Sequence, residues 1–143
     1  MLDERFVRQK LNLLIARLDE LEPLLDCTLD EYRTNHIKRY AIERLIELIV
    51  EGAADINRHV IEAAGLAPPQ TYYSTFEEMG RLGVMPQDAA RRLGGTTGLR
   101  NRLVHGYEEV SHETVHRSLE PLLHYYKQYV GWLDAYVSQQ QIS

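Results

Sequence analysis

The chain has 143 residues, of which 44% are hydrophobic, and this size suits a single domain, expected to span residues 1–143. A formal net charge of −5 argues against general nucleic-acid binding, because such binding depends mainly on a basic surface. No apolar run approaches the roughly 18 residues of a membrane span, and the first residues lack an apolar signal core. With Cys27 as its single cysteine, the chain is expected to be a cytoplasmic protein without a membrane role.

Helical periodicity begins close to the first residue. Between residues 3 and 25 an apolar side chain recurs every three or four positions, which predicts a first helix with one buried stripe: Val7, Leu11, Leu14, Leu18, Leu21 and Leu25. A second pattern starts at Thr28, a residue type that caps helices, and reaches Gly65, which predicts one long helix of about 35 residues. Its centre, residues 41–54, is apolar on more than one side, as expected for a helix with partners on two faces.

Prolines mark the expected helix boundaries in the middle of the chain. Pro68 and Pro69 cannot continue a helix and force extended backbone before them, so the long helix is expected to end ahead of them. Ser74 predicts the start of a short helix, because Glu77 three residues later completes a capping box. Pro86 predicts the start of the next helix, since proline is well tolerated at a first helical position.

Glycines and a long apolar stripe mark the C-terminal half. Three glycines are expected to weaken or split the helix after Pro86 and to leave residues 96–104 as a separate piece: Gly94, Gly95 and Gly98. Ser111 predicts the cap of a last helix that runs to about Ser138. No strand pattern is present in the sequence. We therefore predict an all-α fold, an up-and-down helical bundle of four main helices plus one or two short helices.

Residues 98–107, Gly-Leu-Arg-Asn-Arg-Leu-Val-His-Gly-Tyr, form the most informative segment. Arg100 is a permanent cation with a planar fork of donors that suits phosphate oxygens. His105 is the side chain type that most readily gives and takes a proton near neutral pH. The two residues are therefore candidates for phosphodiester chemistry, and neither role needs a metal.

The spacing of Arg100 and His105 sets a geometric condition. Five residues along an ideal helix give about 7.5 Å of rise and about 140° of rotation, so the two side chains would not share a face. Two arrangements bring them together. The helix can end at His105 with Gly106 as a left-handed cap, or a second protomer can complete the site, and we expect both.

The pattern Arg100-Asn101-x-x-x-His105-x-Tyr107 resembles the R-x4-H-x-Y signature of HepT-type toxins in the HEPN superfamily. Those toxins are all-helical endoribonucleases that dimerise around one RNA cleft and are encoded with a small MNT-type nucleotidyltransferase antitoxin. The resemblance implies that Arg100 and His105 are the catalytic pair and that Asn101 supports them. It also implies that Tyr107 accepts adenylyl groups from the antitoxin, which would block RNA.

Arginines are concentrated around this motif. Between residues 81 and 105 the sequence contains five arginines and only one acidic residue, Asp88. A local basic patch on an acidic body suits a protein that cuts a chosen RNA, so we expect Arg91, Arg92 and Arg102 to bind RNA. An equally simple interpretation of Arg91 and Arg92 is a solvated helix face.

Two other patterns have alternative interpretations. Residues 112–116, His-Glu-Thr-Val-His, match the zinc-protease pattern H-E-x-x-H, but only Glu120 or His124 offers a third ligand. Exposed polar residues at a helix start are the better interpretation, and no metal or cofactor is expected. The tyrosine pairs at 72–73 and 125–126 suit stacking on RNA bases, although packing in a core or interface is the commoner role.

Two functional hypotheses follow. The first is a metal-independent ribonuclease toxin that cuts tRNA or mRNA and is controlled by an MNT-type nucleotidyltransferase antitoxin. The second is a helical subunit without its own chemistry, which docks a nucleotidyltransferase and presents its substrate. A homodimer fits either hypothesis, so cutting of RNA by the isolated protein is the observation that separates them.

Overall fold

A computed structural model describes residues 1–106 and 110–142 of the chain, and residues 1–106 and 110–140 with their side chains. These ranges contain helices and no strand. In chain order the helices are α1 (Glu4–Leu21), a 3-10 segment (Glu22–Asp26), α2 (Leu29–Thr34), α3 (His36–Ala63), α4 (Tyr72–Arg81), α5 (Gln87–His105) and α6 (His112–Ile142). Four long helices and two short ones confirm the predicted all-α bundle.

Helix α3 is central, because it packs against α1, α2, α4 and α5, while α6 closes the bundle against α1 and α5. The predicted stripe of α1 is buried from Val7 to Leu21, and Leu25 falls in the 3-10 segment that follows. Among the described residues, the largest fully buried side chains come from α2, α3, α4, α5, α6 and the end of α1, and include Tyr32, Ile46, Ile49, Phe76, Tyr126 and Tyr129. Burial of this apolar surface is the main source of stability.

A buried polar chain fixes the start of α4 against α3 and α6. The Tyr129 hydroxyl donates to Asn57 Oδ1 at 2.7 Å, and Asn57 Nδ2 donates to Thr75 Oγ1 at 3.1 Å. The Thr75 hydroxyl in turn donates to the carbonyl oxygen of Tyr72 at 2.7 Å. Buried polar groups satisfied in this way specify one arrangement, so the chain holds Tyr72 in a defined position beside α3.

The prediction of one helix from Thr28 to Gly65 was wrong. The helix is interrupted at Asn35, whose backbone is extended at φ −90° and ψ 94°. The Asn35 side chain accepts from the Lys38 backbone N–H at 3.0 Å and so caps α3. Apolar periodicity runs across both helices, which is why it concealed a local cap.

The predicted start of α4 was also displaced. The helix begins at Tyr72, because Thr71 rather than Ser74 is the cap and accepts from the Ser74 backbone N–H at 3.1 Å. Pro86 stands one position before its predicted place, at the N-cap of α5, with extended backbone. The earlier start of α4 leaves only Gln70 and Thr71 between Pro69 and the helix.

Helix α5 is continuous from Gln87 to His105, so the predicted split at the glycines was wrong. Gly94 lies against the Tyr73 ring, where an added Cβ would be 3.0 Å from two ring carbons. The glycine therefore serves close packing of α4 on α5, and that contact compensates its low helix propensity.

Helix α6 begins as predicted after Ser111, whose hydroxyl oxygen accepts from the Thr114 backbone N–H at 3.4 Å. It continues past the predicted end at Ser138 to Ile142. None of the helices in the described part of the chain combines the length and apolarity needed to cross a bilayer.

Candidate active site

The C-terminal end of α5 forms as predicted. His105 is the last helical residue, and Gly106 follows in the left-handed region at φ 61°. The Gly106 N–H donates to the Arg102 carbonyl oxygen at 3.1 Å, which closes the last turn. His105 is exposed at this helix end. Tyr107, the predicted modification site, lies outside the described residues.

Arg100 is held on three sides. Its Nη2 donates to Glu51 Oε1 of α3 at 3.2 Å, and its Nη1 donates to Asn101 Oδ1 at 3.0 Å. Its guanidinium carbon lies 4.9 Å from the centre of the Tyr72 ring of α4. The side chain is only 16% exposed, so α3 and α4 enclose most of it. Asn101 therefore contacts the Arg100 guanidinium directly.

Several donors of Arg100 are not engaged by these contacts. A guanidinium carries five N–H donors, and the hydrogen bonds to Glu51 and Asn101 use two of them. Its Nε is buried, and no acceptor in the described part of the chain lies within hydrogen-bonding distance. A buried donor without an acceptor costs about 1–3 kcal/mol. Nη1 and Nη2 each keep a further N–H that their hydrogen bonds to Asn101 and Glu51 do not use, and these donors suit an added acceptor such as a phosphate oxygen.

A second arginine shares the Tyr72 ring. The guanidinium carbon of Arg58, on α3, lies 5.1 Å from the ring centre, and Arg58 Nη2 donates to the Gln70 carbonyl oxygen at 3.4 Å. Cation–π contacts of this kind are worth about 0.5–2 kcal/mol each. Tyr72 therefore has a packing role, which is the commoner of the two roles considered for the tyrosine pairs. The groups that it packs against include the guanidinium of Arg100, the candidate catalytic arginine.

Sequence reasoning missed Glu51, Tyr72 and Arg58 as neighbours of Arg100. Glu51 offered a weak signal, because it is one of three glutamates, with Glu43 and Glu47, in the segment at residues 41–54 that was expected to pack on two faces. A charge in such a position needs a partner when the helix packs on two sides. The identity of that partner depends on how α3, α4 and α5 pack, which no local pattern reveals.

The structure does not bring Arg100 and His105 to one face of α5. Because the helix is continuous through both residues, about 140° of rotation and about 7.5 Å of rise separate their positions. Arg100 faces α3 and α4, whereas His105 lies at the exposed helix end. The predicted helix end is therefore present, but within one chain it does not bring the side chains of Arg100 and His105 together.

The three arginines predicted to bind RNA are exposed. Helical rotation places Arg91 and Arg102 roughly 160–180° around α5 from Arg100. Arg92 pairs with Asp88 at 2.9 Å, a surface contact of small energetic value. Arg91 and Arg102 are thus on the opposite side of α5 from the Arg100 pocket, and only Arg102 lies near the helix end that carries His105.

A cleft of about 600 Å³ adjoins that helix end. Its walls come from α3, the end of α5 and the start of α6: Glu43, Arg102, Leu103, Gly106, Val110, Ser111 and His112. Glu43 accepts from the Tyr32 hydroxyl at 2.8 Å. Burial, together with this hydrogen bond, raises the pKa of Tyr32 above its usual range, so the phenol stays a neutral donor. Arg102, His112 and the Glu43 carboxylate therefore line the same open cleft.

The H-E-x-x-H residues have structural contacts. The His116 ring Nε2–H donates to the Cys27 carbonyl oxygen at 2.6 Å, and the His112 ring lies edge-on to Tyr32 at 5.5 Å. Glu113 pairs with Arg117 one turn later. In the described ranges no group of three His, Cys, Asp or Glu side chains is arranged to hold a metal. These contacts favour the interpretation as polar residues at a helix start.

Exposed apolar residues lie at the same end of the molecule as His105. Ile37 and Tyr40, in the first turns of α3, are 84% and 60% exposed, and Val104 beside His105 is 41% exposed. Glu43, one turn after Tyr40, lines the same cleft as Gly106, which places this part of α3 beside the end of α5. Large apolar side chains exposed together are typical of an interaction surface.

Solved structures share this architecture. The tri-AMPylated HEPN toxin of Shewanella oneidensis, in complex with an MNT antitoxin, superposes with a TM-score of 0.84 at 18% identity, covering 94% of this chain and 99% of that one. A toxin–antitoxin solved with AMP-PNP superposes with a TM-score of 0.81 at 18% identity, covering 93% and 99%. The fold is therefore that of the HEPN toxins.

Sequence comparison gives the family. The profile described as ribonuclease HepT-like matches residues 14–131. The tRNA nuclease HepT of Aphanizomenon flos-aquae (strain 2012/KM1/D3) is 29% identical over 131 residues, which cover 92% of this chain and 89% of that protein. The chain belongs to the HepT-like ribonuclease family, which confirms the resemblance carried by the segment at residues 98–107.

Proposed function

We propose that the protein is a metal-independent endoribonuclease toxin in which Arg100 and His105 are the catalytic pair and Asn101 supports Arg100. The observation that carries this proposal is the state of the Arg100 guanidinium. It is mostly buried between Glu51 and Tyr72, yet it keeps donors beyond those that its two hydrogen bonds use. A pre-oriented cation of this kind stabilises charge that develops on a phosphate.

The chemistry follows from the two side chains. The 2′-hydroxyl oxygen of the RNA attacks the adjacent phosphorus, and the bond from phosphorus to the 5′ oxygen breaks. His105 transfers the proton, so that it leaves the 2′-hydroxyl and the 5′ oxygen ends protonated. Arg100 stabilises the negative charge on the phosphate oxygens in the transition state. The products are a 2′,3′-cyclic phosphate and a 5′-hydroxyl.

A homodimer supplies the arrangement that one chain lacks. Arg100 and His105 are on different faces of α5, so one protomer presents each residue in a different direction. The exposed Ile37, Tyr40 and Val104 lie at the same end of the molecule as His105 and offer apolar area for a two-fold interface. Such an interface would place His105 of one protomer near Arg100 of the other and form a composite cleft for RNA.

The partner and the control step are inferred from relatives. The Shewanella oneidensis toxin is tri-AMPylated and held by an MNT antitoxin, and this chain has a tyrosine two residues after His105. We assign Tyr107 as the acceptor of adenylyl groups from an MNT-type nucleotidyltransferase antitoxin. Added phosphates beside His105 would repel RNA and occupy Arg100.

The substrate class is inferred from the curated relative. The protein from Aphanizomenon flos-aquae is named a tRNA nuclease, and its similarity spans most of both chains. We therefore expect tRNA to be cut in preference to mRNA, with Arg91, Arg92 and Arg102 adding contacts to its phosphates. An RNA substrate of this kind places the activity in the cytoplasm.

Cleavage of tRNA in EDTA tests the proposal. Purified protein, whose intact mass excludes modification at Tyr107, is incubated with tRNA beside a His105→Ala variant, and the fragment ends are identified. Cutting by the wild type alone, with cyclic phosphate ends, is the expected result. Activity that EDTA abolishes contradicts the metal-independent mechanism, and an unmodified protein that never cuts favours the docking subunit.

A further inference from the structure

We infer that Glu51 is a positioning residue for the proposed reaction, holding the Arg100 guanidinium in the orientation that meets the phosphate. The inference rests on the proposed ribonuclease function and adds a residue to it. Glu51 touches Arg100 and acts through it, so it is not expected to contact the reacting atoms itself. Its carboxylate lies 3.2 Å from Arg100 Nη2.

The support for Glu51 is rigid. It stands in the middle of α3, the helix that packs against four others, and the neighbouring Val50, Ala53 and Ala54 are completely buried. A side chain anchored on such a helix has a defined origin, which a loop residue lacks. The Glu51 side chain is 33% exposed and the Arg100 side chain 16% exposed, so solvent screens this pair less than a fully exposed pair.

The three contacts restrict different motions of the guanidinium. Glu51 engages one end of its plane at Nη2, and Asn101 engages the other amino group at Nη1. The guanidinium carbon lies over the Tyr72 ring, 4.9 Å from the ring centre. Asn101 belongs to the same helix as Arg100, so Glu51 is the contact that ties the head group of Arg100 to α3.

The Glu51 carboxylate has a second effect, which distinguishes its expected influence on KM from its expected influence on kcat. A negative charge beside Arg100 reduces the attraction of the pocket for an RNA phosphate in the ground state. Removing it should therefore leave binding unchanged or tighter, while the loosened guanidinium stabilises the transition state less well. A positional error of about 1 Å in a catalytic group lowers rates by as much as roughly 100-fold.

Three variants measure these effects: Glu51→Ala, Glu51→Gln and, as a matched control, Glu78→Ala. Glu78 is likewise a partly exposed glutamate that pairs with an arginine at 2.7 Å. Its partner is Arg81 and not Arg100. We expect kcat for tRNA cleavage to fall about 10- to 100-fold in Glu51→Ala without a rise in KM. Glu51→Gln keeps an acceptor for Nη2 and should lose less than Glu51→Ala, and Glu78→Ala should behave as wild type.

A spectroscopic readout tests positioning without relying on turnover. The Arg100 Nε–H group is buried, so its ¹H–¹⁵N signal should exchange slowly with solvent in the wild type and in Glu78→Ala. Glu51→Ala should broaden that signal or speed its exchange. Circular dichroism and a melting curve establish that each variant is folded, and if Glu51→Ala is not, the same comparison is made on Glu51→Gln.

The outcomes separate this inference from the function on which it rests. Wild-type kcat with an unchanged Arg100 Nε–H signal in both Glu51 variants would overturn it, as would a rise in KM with kcat unaltered. Neither result affects the ribonuclease proposal if His105→Ala still abolishes cutting. If the wild-type protein itself fails to cut, the ribonuclease proposal fails, and the Nε–H signal alone decides whether Glu51 positions Arg100.

Discussion

The guanidinium carbon of Arg100 lies 4.9 Å from the centre of the Tyr72 ring, on a helix start that a buried polar chain fixes in place. This contact predicts distinct effects for two substitutions. Tyr72→Phe keeps the aromatic face and should retain cleavage close to wild type. Tyr72→Leu keeps apolar bulk but removes the aromatic face, and losing about 0.5–2 kcal/mol of cation–π stabilisation should lower the cleavage rate about 2- to 30-fold. Equal rates for the two variants would show that the ring only fills space.

The helix end that presents His105 depends on Gly106. At φ 61° a side chain is strained, so Gly106→Ala should destabilise the fold by about 1 kcal/mol and disturb His105. Gly95→Ala is the matched control, because Gly95 is inside the same helix with open space around a new Cβ. That change should stabilise the fold by up to about 1 kcal/mol. Denaturant unfolding of both variants measures these opposite signs, and a stabilising Gly106→Ala would refute the cap.

The exposed arginines of α5 predict a salt-dependent contribution to RNA affinity. Each phosphate contact removed should make the negative slope of log K against log salt shallower by about 0.7–0.9, the range from single strands to duplex. In a His105→Ala background, which prevents cutting, Arg102→Ala should weaken binding and flatten this slope. Arg17→Ala on α1 is the control, since Arg17 pairs locally with Glu20. Identical slopes for the Arg102 and Arg17 variants would remove Arg102 from the RNA surface.

The buried phenols predict how stability responds to alkaline pH. Burial raises the pKa of both Tyr126 and Tyr129 above the usual 10.0. The unfolded chain therefore releases these protons first, so the stability from both groups is complete below pH 10 and is lost as the pH rises further. Melting temperatures between pH 8 and 11 should decline above pH 10, and less steeply in Tyr126→Phe. An equally steep decline in that variant would contradict the assignment.

The sequence predicted the features that depend on local periodicity and turn chemistry. The stripe of α1 and the end of α5 at Gly106 were both correct, because each follows from residues within a few positions. The break at Asn35 was missed, since the apolar pattern continues on both sides of it. The continuity of α5 was missed because Gly94 is compensated by Tyr73, a contact between helices. Glu51 and Tyr72 were missed for the same reason, as tertiary packing alone brings them to Arg100.

In the proposed dimer, Arg100 of one protomer and His105 of the other form one catalytic site. A heterodimer of an Arg100→Ala chain and a His105→Ala chain, purified through two different tags, tests it directly. One of its two composite sites is intact, so it should cut tRNA at about half the wild-type rate, although each single-variant homodimer is inactive. A heterodimer as inactive as both homodimers would contradict the composite site.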